Sequence, residues 1–130
     1  MTEVAELQRQ IDKAIRDMEK NYGKAIKEVE KIKANLNELE RIISEKGDAK
    51  TIEDMDKLNS TVEMLNRLSD SLILESERAW EEYKKLEHDC KIRELEPVGL
   101  DRLKVLCKKN ERLAADLLCY SLAHFKRKSN

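Results

Sequence analysis

Proline occurs once in this chain, glycine three times, and Phe, Trp and Tyr together make up only 4% of it. Turn-forming residues this scarce cannot supply the many reversals of a β-sandwich or barrel, and so few aromatics argue against a sheet core. No stretch is apolar for the roughly 20 residues that a membrane span requires. The first six residues, Met1 to Glu6, are acidic and lack the apolar centre of a secretory signal. Neither sign of charge is in excess. The 26 Lys and Arg stand against 27 Asp and Glu, and a net charge of −1 offers no overall attraction to nucleic acid or an anionic membrane. Cys90, Cys107 and Cys119 are odd in number and fall inside helical patterns. Reduced thiols in a cytoplasmic or nuclear setting are therefore expected, not a disulfide frame.

What the chain does have is charge, at 41% of residues, and periodicity. Ile15, Met18, Tyr22, Ala25, Val29, Ile32, Leu36, Leu39 and Ile43 alternate three-residue and four-residue steps without a break. An average step of about 3.5 residues keeps an apolar seam facing a partner helix over many turns, the signature of a coiled coil. Periodic apolar residues also separate this chain from a disordered polyampholyte, because burying them together can offset the entropy of ordering.

A first helix is predicted over about residues 2–46, with Thr2 as its cap and Glu3 and Glu6 near its positive end. Before Ile15 its apolar face takes successive four-residue steps, Leu7 to Ile11 to Ile15, a stutter that points to a core wider than two helices. Gly47 suits the left-handed position after a helix, and Thr51 with Asp54 resembles a capping box, so residues 47–50 read as a hairpin tip. A second helix follows over about 51–96, with Met55, Leu58, Val62, Leu65, Ser69, Leu72, Ser76, Ala79, Tyr83, Leu86 and Cys90 on its seam. Leu68, Ile73 and Trp80 flank that seam, and covering them calls for a third helix on the half of the hairpin away from the tip.

Pro97 and Gly99 make the next corner. A third helix is predicted over about 98–126, with Leu100, Leu103, Leu106, Asn110, Leu113, Leu117 and Tyr120 on one stripe. Leu118, Leu122 and Phe125 form a second stripe, more apolar surface than one contact face requires. Between Thr51 and Glu96 thirteen acidic residues face seven basic ones, a balance of −6; from Pro97 onward eight basic face three acidic, a balance of +5. The complementarity favours packing of the third helix on the second, through orientation more than stability.

No catalytic or metal-binding constellation emerges. His88, Cys90, Cys107, Cys119 and His124 include no C-x-x-C pair, and Cys119 and His124 stand five apart, which is not a common same-face spacing on a helix. Buried thiols and exposed imidazoles account for them. Most carboxylates fall opposite the seam, where partners such as Lys24 for Glu28 and Lys85 for Glu81 make a solvated helix face.

The expectation is an all-α single domain spanning residues 1–130: an elongated antiparallel coiled-coil hairpin with a shorter third helix packed on its open end, a three-helix bundle. The function expected is a non-enzymatic protein–protein interaction module, a scaffold or adaptor subunit of a cytoplasmic assembly of the cytoskeletal or trafficking type. It would use no cofactor, metal or small-molecule substrate, and its partners would be other helical proteins and a second copy of itself. Leu118, Leu122, Phe125, Lys108, Lys109 and Arg112 are the candidate partner-binding residues. The alternatives are a membrane-surface or curvature-binding module that would use the basic residues, and a small all-helical enzyme.

Overall fold

The computed structural model describes residues 2–45 and 52–129; the side chains of Thr2, Ile43, Ile52 and residues 124–129 lie outside that description. The described residues form three helices: α1 (Thr2–Glu45), α2 (Ile52–Arg93) and α3 (Leu100–Ser129). The tip expected at Gly47 lies outside the described residues. The direction of the two helices that flank it does not. Leu7, Ile11 and Ile15 share a core with Ala79, Tyr83, Leu86 and Cys90, while Val29, Ile32 and Leu36 share one with Leu58, Leu65 and Leu72. Residue numbers rise along α1 as they fall along α2, so the pair is antiparallel. At about 1.5 Å per residue, α1 alone is roughly 65 Å long.

α3 lies in the groove of the hairpin, antiparallel to α2 and parallel to α1. It contributes Leu103, Leu106 and Cys107 to the open-end core, and Ala114 and Leu117 to the other. Ser121 donates a hydrogen bond to Asn66 Oδ1 at 3.0 Å, so the third helix accompanies α2 well beyond the open end. The stutter in α1 finds its cause here. Leu7, Ile11 and Ile15 are all buried because two helices, not one, receive that face.

On α2 the three–four alternation runs from Leu58 to Cys90, and most of its members are buried. Met55 is exposed, and it is Asp54 that turns inward in the first helical turn, where the helix dipole favours a carboxylate. α2 stops three residues before Glu96, at Arg93. Glu94 adopts a left-handed φ of 53°, the Leu95 amide reaches the Cys90 carbonyl at 2.9 Å, and the Glu94 amide reaches that of Lys91. These two bonds form a Schellman cap, and Leu95 packs back on the core that contains Cys90.

The corner between α2 and α3 is tied to α1. Gln8 donates from Nε2 to the Val98 carbonyl at 2.7 Å and accepts the Val98 amide on Oε1 at 3.0 Å. Gly99, at a φ of 106°, passes directly over α1: a Cβ there would stand 3.1 Å from Ile15 Cδ1 and 3.3 Å from Ile11 Cγ2. Its carbonyl accepts the Leu103 amide at 2.9 Å, which starts α3. Arg102 and Glu19 add an ion pair between α3 and α1.

Candidate interaction surface

An open groove runs between α2 and α3 on the outside of the bundle. Ile73, Ser76 and Trp80 wall it from α2, and Ala114, Ala115 and Leu118 from α3; Glu77, Glu81, Lys84 and Glu111 line its edges. Leu118 is 40% exposed and Leu122, one turn on, is 51% exposed. Helical periodicity explains their position. Lys104, Glu111 and Leu118 follow one another at seven-residue spacing, as do Lys108, Ala115 and Leu122, so both lines run down the α2-facing flank and outer face of α3. Phe125 continues the first line, but its side chain lies outside the described residues.

The six candidate residues divide. Leu118 lines the groove and Leu122 stands exposed one turn beyond it; Lys108 and Arg112 are exposed on the outer face of α3 beside it. Lys109 stands seven residues after Arg102, which reaches Glu19 of α1, and so occupies the edge toward α1, away from the groove. Sequence reasoning noted Ile73 and Trp80 only as surface to be covered. Burial of each stops halfway, because α3 presents Ala114 and Ala115 where bulkier side chains would have closed the gap. The roles of Glu77, Glu81 and Glu111 carried no periodic signal, since charged residues at such positions usually only solvate a helix face.

Trp80 is held in place. Its Nε1 donates to Glu111 Oε2 at 3.0 Å, and its ring meets that of Tyr83 edge to face, centroids 5.8 Å apart and planes at 86°. Tyr83 in turn donates its hydroxyl to Glu87 Oε2 at 2.8 Å. Burial, reinforced by the neighbouring Glu87 carboxylate, pushes the Tyr83 phenol up to about 12. The same hydrogen bond holds Glu87 below the ordinary carboxylate range.

Beneath the groove Cys107 donates its thiol to the Ala79 carbonyl at 3.3 Å. Burial, with a further contribution from Glu111, pushes that thiol up to about 11, and burial raises Cys90 as well. Both therefore stay protonated near neutral pH, the opposite of what a thiolate nucleophile or metal ligand requires. Cys119 is exposed. Among the described residues no group of three or more His, Cys, Asp and Glu side chains is placed to hold a metal ion, and no helix is long and apolar enough to cross a membrane. The His124 side chain lies outside those described.

On the opposite side of α2, the groove between α1 and α2 has Ala14, Met18 and Ala79 along its floor, but Lys13, Asp17, Glu75, Arg78, Glu82 and Lys85 surround them. Its apolar floor is narrow and its rims carry both signs. Comparison of the chain with protein-family models, with curated proteins and with solved structures finds no match.

Proposed function

We propose that the protein is a non-enzymatic interaction module, a scaffold or adaptor subunit that docks helical partners in the groove between α2 and α3. One observation carries this reading: Leu118 and Leu122 stand exposed beside a groove whose walls, Ile73 and Trp80, remain half-uncovered. An apolar flank along a fixed helix pair is what an incoming helix fills with its own apolar stripe. The basic side chains of Lys108 and Arg112 next to it would orient a partner with an acidic edge.

The test is a comparison of Leu118→Glu and Leu122→Glu with Val4→Glu. Val4 is 41% exposed and belongs to α1, which has no part in the groove. Association, followed by light-scattering mass and by capture of a helical partner, should be lost in the first two variants and kept in the third, with helix content by circular dichroism unchanged in all. Equal association by all three would place the docking surface elsewhere.

A further inference from the structure

We propose that the occupant of the α2–α3 groove is the same groove of a second copy, the two being related by a two-fold axis parallel to the helices, so that α2 of each faces α3 of the other. This rests on the groove being the docking surface and adds the identity and orientation of what docks there. The argument is one of charge and level. Ala79 meets Cys107, and Asn66 meets Ser121; with one antiparallel register between them, Glu77 is level with Asn110, and Glu81 with Leu106.

A two-fold axis along the bundle exchanges left and right across the interface but preserves level. Glu77 of one copy is then presented to the gap between Lys108 and Arg112 of the other, and Glu81 to the gap between Lys104 and Lys108. Each pairing occurs twice, because a two-fold interface uses the same patch on both subunits. The other arrangement, with the axis across the helices, sets α2 against α2 and α3 against α3. With that axis near the level of Ala79, centred on the charged stretch, it opposes Glu77 and Glu81 to their own kind and Lys108 and Arg112 to basic residues, and like charges juxtaposed at an interface select against that mode.

The groove also contains one residue of the contrary sign on each side. Lys84 borders α2 near Glu81, and Glu111 borders α3. Glu111 is engaged by the Trp80 indole, which leaves the outward basic line of Lys104, Lys108 and Arg112 as the dominant charge on the α3 edge. By the same register Leu118 and Leu122 of each copy stand level with Ser69 and Leu65 of the other; those two side chains are buried, so the leucines meet the groove-side flank of α2 between Asn66 and Ile73.

The test uses the whole chain and its mass in solution at tens of micromolar protein and moderate salt, by sedimentation equilibrium. The wild type should be a dimer. Glu77→Lys with Glu81→Lys should weaken dimerisation by about tenfold or more, and Lys108→Glu with Arg112→Glu by somewhat less because Lys104 still meets Glu81, since each reverses several cross-interface pairs of modest individual strength. The chain carrying all four changes should regain most of the lost dimerisation, because position 77 then meets two reversed charges and position 81 one, with only Lys104 left unreversed. Only the lengthwise axis gives this restoration within one chain; an α2-to-α2 arrangement would leave lysine facing lysine. A monomeric wild type, a dimer indifferent to the two-residue changes, or a four-residue variant that stays monomeric would each overturn the proposal. Leu118→Glu separates the two levels of inference. If it abolishes a dimer that the charge changes leave intact, the groove docks a second copy in another orientation; if the dimer survives Leu118→Glu too, the groove is not the docking surface.

Discussion

The two ends of the bundle share the heptad rhythm of α2 and are built differently. The open-end core joins Leu7, Ile11, Leu86 and Leu103 to an aromatic and two thiols, Tyr83, Cys90 and Cys107. Around it the three helices are tied by Gln8 to Val98, Arg102 to Glu19, Trp80 to Glu111 and Cys107 to Ala79. The core toward the tip is aliphatic and interrupted by small side chains. Ala25 and Ala114 belong to it, and Ser69 and Ser121 are buried on the same stretches of α2 and α3. Among its ties are Ser121 to Asn66, and Lys33 lying 4.9 Å above the Tyr120 ring. The lesson is that periodicity specifies which residues face inward, whereas side-chain size and cross-helix polar contacts decide how firmly each region is held.

Truncating one leucine in each core gives the largest effects and puts that contrast at risk. Leu103 and Leu65 are both fully buried, so Leu103→Ala and Leu65→Ala remove the same atoms from water. Each should cost about 2–5 kcal/mol in chemical denaturation, with Leu103→Ala toward the upper end, because three mutually tied helices cannot close on the cavity. Near Leu65 the small side chains of Ser69 and Ser121 are buried, and partial collapse around them should reduce the loss. Equal costs would show that the ties at the open end do not stiffen it. A backbone change at the corner should act on the open end alone. Gly99→Ala puts a methyl 3.1 Å from Ile15 Cδ1 on a residue at φ 106°, and should destabilise by about 1–3 kcal/mol. Hydrogen exchange should accelerate first around Ile11, Ile15 and Leu103; acceleration spread evenly to Val29 and Leu36 would mean that the two cores are one cooperative unit.

Much of this fold was legible before any coordinates. The alternation from Ile15 to Leu39 and from Leu58 to Cys90 places the seam residues because a fixed period maps directly onto one helix face, and Ile73 and Trp80 beside the seam call for the third helix. The inward turn of Asp54 in place of Met55 was not legible, since it depends on the geometry of the first turn of α2. Nor was the early end of α2. Pro97 sets only an outer limit, and the cap forms at Glu94, a residue type with no preference for it. The groove was half legible. Leu118 and Leu122 read as surplus apolar surface, but the separation of Lys109 from Lys108 and Arg112, and the level of Glu77 and Glu81 against α3, depend on the register between helices, which one sequence does not reveal.

The smallest predicted effect concerns that cap and sharpens the account of the open end. Glu94 adopts a φ of 53°, where a Cβ costs about 1–2 kcal/mol through its approach to the following carbonyl oxygen. Its carboxylate also stands at the negative end of the α2 dipole, where an acid is disfavoured. Glu94→Gly relieves both, but gives back some of the gain because glycine leaves the unfolded chain more freedom. A net stabilisation of about 1 kcal/mol is expected, a rise of a few degrees in melting temperature for a domain of this size. Glu94→Ala isolates the two contributions: it removes the charge and keeps the Cβ, so it should recover only the electrostatic part, a few tenths of a kcal/mol, and that part should shrink with added salt. If alanine stabilises as much as glycine, backbone strain contributes nothing at this position, and the open end is held by its cap without any opposing cost.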